Sequence, residues 1–343
     1  MKIGITGLPK SGKTTLLKLL TQARGDAPAK APSQSLGVME VPDLRVDWLS
    51  QLYRPERTIY ARLEVEEIQF HRGRELLNAA RDLDALIVVV AAFMAEDPAS
   101  VLSIVDDLET EFFIADLAAV EGRLERLSAN KAKPVSQAEV PFLEKCGKAL
   151  DAGTPVRKVS FEPHERAFLG NFSFFTAKPV ILAVNVSGES LGTGDYTGRS
   201  ELSAKAASMD YPVVVFSGEV EPEIAELPEA ERLAFLKEYG LSESGVSRIA
   251  RACYRCLGLI SFFTVGEDEV RAWTIAEGTN ARQAAGKIHT DMEKGFIRAE
   301  VVAYEDLRQQ GSMKACREKG LVRLEGKDYV VRDGDIINVR FSV

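Results

Sequence analysis

An α/β fold is predicted: a sheet flanked by helices, interrupted by a helical hairpin and followed by a small β-rich domain. Three observations carry the prediction. Apolar, β-branched runs alternate with helical patterns over the first 95 residues and resume near residue 179. A long apolar stripe at helical spacing lies between them. Gly7-Leu8-Pro9-Lys10-Ser11-Gly12-Lys13-Thr14 fits the phosphate-loop pattern G-x-x-x-x-G-K-[ST], directly after the apolar stretch Lys2–Thr6.

That motif defines the expected chemistry. Its glycines let backbone N–H groups converge on phosphate oxygens, Lys13 reaches the β- and γ-phosphates, and the Thr14 hydroxyl is suited to ligate Mg²⁺. The stretch 13–22 reads as the helix whose N-terminus faces the anion, with Leu16, Leu17, Leu19 and Leu20 toward the sheet. A nucleoside triphosphate is the expected ligand, on a P-loop NTPase domain. Lys10 and Ser11 lie inside the loop, where their backbone N–H groups serve whatever their side chains do.

Further strands are expected at 37–41, 62–70 and 85–93, then at 179–185 and 211–217. Residues 24–35, rich in Ala, Pro, Gly and Ser, read as a mobile loop beside the phosphates. From Pro98, apolar residues recur in a heptad stripe through Val101, Val105, Leu108, Phe112, Ala115 and Ala119. A second helical stretch carries Leu143, Cys146 and Leu150, so the pair is expected to fold back as an antiparallel, coiled-coil-like hairpin. The stretch 241–256 reads as a helix capped by Ser242 or Ser244, and short strands dominate from Ile260 onward. The expected partition is therefore 1–97 and 178–258 as two parts of one nucleotide-binding domain, 98–177 as the inserted hairpin, and 259–343 as the terminal domain.

Composition narrows the partners. With 343 residues, 45% hydrophobic and 27% charged, the chain has ample material for real cores. The run 85–95 is too short to span a bilayer, nothing marks a secretory signal, and a cytoplasmic location is expected. A net charge of -8 argues against non-specific duplex binding, so neither DNA nor a membrane is expected as a partner. Cys253-Tyr254-Arg255-Cys256 is a lone C-x-x-C in a helical pattern without a second ligand pair, and His71, His164 and His289 are scattered.

Beyond the phosphate loop, the chain carries Val41-Pro42-Asp43, Pro55-Glu56-Arg57, Val270-Arg271-Ala272-Trp273-Thr274, the string from Ile288 to Glu300, and Leu324-Glu325-Gly326-Lys327-Asp328-Tyr329. On these residues it resembles the Obg-like YchF ATPases of the translation-factor class of P-loop GTPases, over nearly the full length. The resemblance implies a C-terminal TGS module, a ubiquitin-like β-grasp, and a nucleotide switch linked to the ribosome that prefers ATP or tolerates both purines.

Set against the family pattern, several working parts are altered. Ala31 stands where a switch threonine joins the magnesium shell, with only Ser33 and Ser35 nearby. Glu67-Ile68-Gln69-Phe70 replaces D-x-x-G, which keeps a carboxylate at Glu67 and loses the phosphate-sensing glycine. No histidine lies between Met94 and Val101 to assist hydrolysis, and no catalytic residue is assigned. Asn185-Val186-Ser187-Gly188 replaces the base-reading motif, with Glu189 displaced by one, so strict GTP specificity is expected to be lost.

The expected binding set is Gly7, Lys10, Ser11, Gly12, Lys13, Thr14, Thr15, Asn185 and Val186, with Thr14 and Glu67 toward Mg²⁺. The ligand is a purine nucleotide, ATP or GTP. A ribosome or RNA contact is expected through the TGS-like domain, where Lys287, His289, Lys294 and Arg298 form a small basic group. Two readings stay open: a slow Mg²⁺-dependent ATPase or GTPase, or a nucleotide-binding adaptor that has lost timed hydrolysis.

Overall fold

The computed structural model describes residues 1–22, 36–69, 73–129, 134 and 137–342. The expected loop at 24–35, with Ala31, Ser33 and Ser35, lies outside the described residues, as do Phe70 and His71. In chain order the strands are β1 (Lys2–Gly7), β2 (Leu36–Val41), β3 (Arg57–Ile59), β4 (Ala61–Glu67), β5 (Ala85–Ala91), β6 (Val180–Asn185), β7 (Val213–Phe216), β8 (Leu259–Val265), β9 (Glu269–Ala276), β10 (Phe296–Ala303), β11 (Arg323–Glu325) and β12 (Asp335–Phe341). The helices used below are α1 (Lys13–Thr21), α2 (Leu44–Tyr53), α3 (Arg74–Ala80), α4 (Pro98–Ser128) and α5 (Glu139–Asp151). The fold is α/β, with a P-loop-type sheet, a helical insertion and a C-terminal sheet domain.

Two compact units form. One gathers Met1–Gln22 with Glu64–Ile249, and the other gathers Val38–Leu63 with Ala250–Val343. The first sheet has the order β2-β4-β1-β5-β6-β7, and β1 pairs in parallel with both β4 and β5, β5 with β6, and β6 with β7. β5 and β6 are buried on both faces, which explains their unbroken apolar sequence. The expected strand through Phe93 ends at Ala91, where a 3-10 turn over Ala92–Met94 takes the chain off the sheet.

The hairpin forms from α4 and α5. Arg123 pairs with Glu139 at 2.8 Å, and Val120 faces Gly147, so the helices run antiparallel. The stripe on α4 holds through Phe112 and then passes to Asp116 and Val120, while Ala119 is exposed. Two fours in succession follow the 3.6-residue helical period where the heptad stripe steps by three. Asp116 is buried and accepts the N–H groups of Phe175 and Thr176 and the Thr176 hydroxyl, at 2.6–2.9 Å. Beyond it, Phe142 is surrounded by Phe161, Phe168, Phe172 and Phe174.

The second sheet has the order β11-β10-β12-β8-β9-β3. Its neighbours are antiparallel except β12 with β8 and β3 with β9. Its first and last C-terminal strands thus lie side by side and parallel in the centre. The strings that carried the resemblance build this unit. Asp43 caps α2 by accepting the Arg45 N–H at 2.9 Å, Trp273 bonds Thr264 at 2.9 Å, and Tyr329 donates to Asp335 at 2.7 Å. The helix expected at 241–256 spans Gly245–Cys256, with the Ser244 hydroxyl accepting from Ser247 N–H at 3.1 Å as its cap.

Candidate functional site

The phosphate loop follows from a turn with little steric choice. Ser11 N–H bonds the Leu8 carbonyl at 3.1 Å, Lys10 has φ 64°, and Gly12 has φ 97°, a conformation that L side chains rarely adopt. Gly7 is fixed by space: a Cβ there would lie 2.6 Å from the Ser11 hydroxyl and 2.8 Å from the Val89 carbonyl. α1 then starts at Lys13 with no side-chain cap on its first N–H groups. The Lys13 chain is buried and its ammonium donates back to the Leu8 carbonyl at 3.4 Å. The loop therefore carries a held cation and open backbone donors together, which suits an anion.

Asn185 locks this loop from the end of β6. Its amide nitrogen donates to the Ser11 carbonyl at 2.9 Å, and its amide oxygen accepts the Gly218 N–H at 2.8 Å. Val186 is buried and bonds the Phe216 carbonyl, continuing the β6–β7 pairing.

A cavity of about 430 Å³ opens here. Of the residues named from sequence, it brings together Lys10, Gly12, Thr15, Asn185 and Val186. Gly7, Ser11 and Lys13 lie in the loop's interior, and Thr14 is exposed on the first turn of α1. Glu67 ends β4, half-buried and in register with Ile5 of β1. The cavity also takes Ser187 of the base-reading segment, and Phe93, Gly218 and Glu219, which lie outside the sequence motifs. The signal for them is topological: ligands of parallel sheets bind beyond the carboxyl ends of the strands, and Phe93 and Gly218 lie just past β5 and β7.

The second unit has a cavity of its own, about 540 Å³. Several of its polar groups satisfy one another: Arg45 bridges Asp43 and Asp333, Asp333 accepts the Ser261 N–H, and Tyr254 bonds the Ser261 hydroxyl. We read it as a structural network. Burial pushes the Cys253 thiol well up, and among the described residues no cluster of His, Cys, Asp and Glu could hold a metal ion. In the small basic group, the His289 ring accepts the Asp291 N–H at 3.2 Å and so caps the short helix that follows. Among the described residues no helix is long and apolar enough to cross a membrane.

A parallel sheet whose first strand enters a phosphate loop, followed by an uncapped helix, defines a P-loop α/β protein. The chain belongs to the YchF family: it is 38% identical to the ribosome-binding ATPase YchF of Bacillus subtilis (strain 168), a match covering 99% of each chain. It is also 36% identical to Obg-like ATPase 1 of Caenorhabditis elegans, covering 100% of this chain and 92% of that one. In three dimensions it is similar to the YchF GTPase of Schizosaccharomyces pombe, with a TM-score of 0.86, 31% identity, and coverage of 99% and 97% of the two chains. Residues 259–342 match the family model YchF-GTPase_C, described as a protein of unknown function.

Proposed function

We propose that this chain binds a purine nucleoside triphosphate, ATP or GTP, together with Mg²⁺, in the loop between β1 and α1. The observation that carries the reading is the uncapped N-terminus of α1 above a buried Lys13. Similarity to relatives named as an ATPase and as a GTPase supports it. The chemistry of the donors fits magnesium, a hard cation that takes oxygen ligands: Thr14 offers an exposed hydroxyl and Glu67 a half-buried carboxylate at the end of the neighbouring strand. When bound, Mg²⁺ would neutralise phosphate charge.

Hydrolysis is slow at most in this reading. Among the described residues lining the cavity, Lys10 and Glu219 are the side chains with formal charge, and no histidine is present. That observation favours the alternative of a non-hydrolysing adaptor in which 98–177 and 259–343 dock a partner. Measuring phosphate release in a single turnover separates the two: turnover above the Lys13→Ala background supports the switch, and none supports the adaptor.

The proposed partner is the ribosome, through RNA contact by the TGS-like domain, which implies a cytoplasmic location. A relative's name as ribosome-binding supports this. So does charge on one face of the second sheet: Arg298 stands opposite Arg340, and Arg340 and Arg317 both pair with Glu300. Two cations hold one carboxylate there, and the exposed Arg298 makes no ion pair among the described residues, an arrangement suited to a phosphate backbone.

A further inference from the structure

We propose that the Lys10 side chain is a second phosphate cation, one that makes the site prefer a nucleoside triphosphate to a diphosphate; the inference rests on the triphosphate reading above. Lys10 occupies a place that suits other residues better. Ser11 N–H closes a turn onto the Leu8 carbonyl at 3.1 Å, with Pro9 and Lys10 between them. Lys10 has φ 64°, and a positive φ at that place in a turn is ordinarily taken by glycine or asparagine.

The backbone alone gives no reason for a lysine there. Among the described residues, the other non-glycine residues with positive φ are Arg54, Ser173 and Asp210. Each closes the C-terminus of a helix, where a left-handed residue is a common ending. Lys10 closes no helix. Strain kept in a loop at a ligand site directs attention to what the side chain does.

That side chain brings an uncommitted cation. Lys10 is exposed, lines the cavity of about 430 Å³, and makes no ion pair or side-chain hydrogen bond among the described residues. Glu219, the other formal charge lining the cavity, faces the Gly188 N–H at 3.4 Å. Lys13, by contrast, is buried and donates to the Leu8 carbonyl. The two lysines therefore divide the phosphates. In a phosphate loop the backbone N–H groups surround the α- and β-phosphates and the motif lysine spans β and γ, so the terminal phosphate is the least neutralised. The flexible stem of Lys10 lets its ammonium swing to that phosphate, which a diphosphate lacks.

The test is calorimetric titration of the full chain with ATP, ADP, GTP and GDP, each with Mg²⁺, using wild type, Lys10→Gly, Lys10→Asn and Lys10→Arg. Loss of a charge-assisted contact should lower triphosphate affinity roughly tenfold to a hundredfold in Lys10→Gly and Lys10→Asn, and leave diphosphate affinity within about threefold. Lys10→Arg keeps the charge and should keep the preference for triphosphate. Thermal melts should show every variant folded, with Lys10→Asn no lower than wild type because asparagine tolerates the turn. Unchanged triphosphate affinity in both neutral variants, or equal losses for triphosphate and diphosphate, would overturn the proposal while leaving triphosphate binding intact. A wild type that binds no purine triphosphate overturns the triphosphate reading, and this inference with it.

Discussion

Asn185 and Ser11 are 174 residues apart in sequence and joined by one hydrogen bond, in which the side-chain amide donates to the loop carbonyl at 2.9 Å. With the second bond to Gly218, the amide ties the phosphate loop to the ends of β6 and β7. Asn185→Ala leaves the Ser11 carbonyl and Gly218 N–H without these partners, so stability should fall by about 2 kcal/mol and nucleotide affinity with it. Urea unfolding and titration of the variant check both; an unchanged unfolding midpoint contradicts the clamp.

Gly12→Ala combines two penalties. Its φ of 97° disfavours any side chain, and the added Cβ would meet the Asn185 amide nitrogen at 2.4 Å. The variant should lose nucleotide binding while the second unit keeps its fold, readable from the near-ultraviolet signal of Trp273.

Asp116 holds the turn after the hairpin through three accepted bonds, and Asp116→Ala should destabilise the chain by about 3 kcal/mol, because it strands two buried backbone N–H groups. Loss of helix at a lower temperature in circular dichroism is the expected reading.

Two carboxyls should give opposite pH trends. Burial raises the Asp116 carboxyl, outweighing the hydrogen bonds from Thr176 and Phe175 that lower it. The folded state binds that proton more tightly than the unfolded one, so the Asp116 contribution falls as pH rises from about 3.9 through the raised value. Glu300 is the reverse: the hydrogen bond from Arg340, with Arg317, holds it below the usual range. Its contribution is complete above about 4.3 and is lost as pH falls through the lowered value. The stability deficit of Asp116→Asn should therefore shrink as pH rises, and that of Glu300→Gln should shrink as pH falls. Urea midpoints across the acid range test this, and parallel trends would contradict it.

Arg298→Glu should weaken co-sedimentation with ribosomes and lower the salt slope by about one, as for a lost phosphate contact. Unchanged binding at every salt concentration would remove this face from the proposed RNA contact.

The phosphate loop was legible because its chemistry is local: eight consecutive residues specify turn, lysine and hydroxyl. The central strands were legible because β5 and β6 are buried on both faces and read as continuous apolar runs. Glu219 was not, since it reaches the cavity only by the pairing of β7 with β6. Asp116 stayed hidden because a carboxylate on an apolar stripe reads as its solvent edge until Phe175 and Thr176 are seen against it. β3 is a three-residue edge strand beside β9, too short for any periodicity to mark.

The most direct measurement is calorimetric titration of nucleotide-free protein with ATP and with GTP, each with Mg²⁺, on wild type and on Lys13→Ala. Saturable triphosphate binding by wild type that disappears in Lys13→Ala is the predicted result. Equal affinity in the two proteins would exclude the loop between β1 and α1 as the site, and no binding of either purine would leave that loop a structural turn.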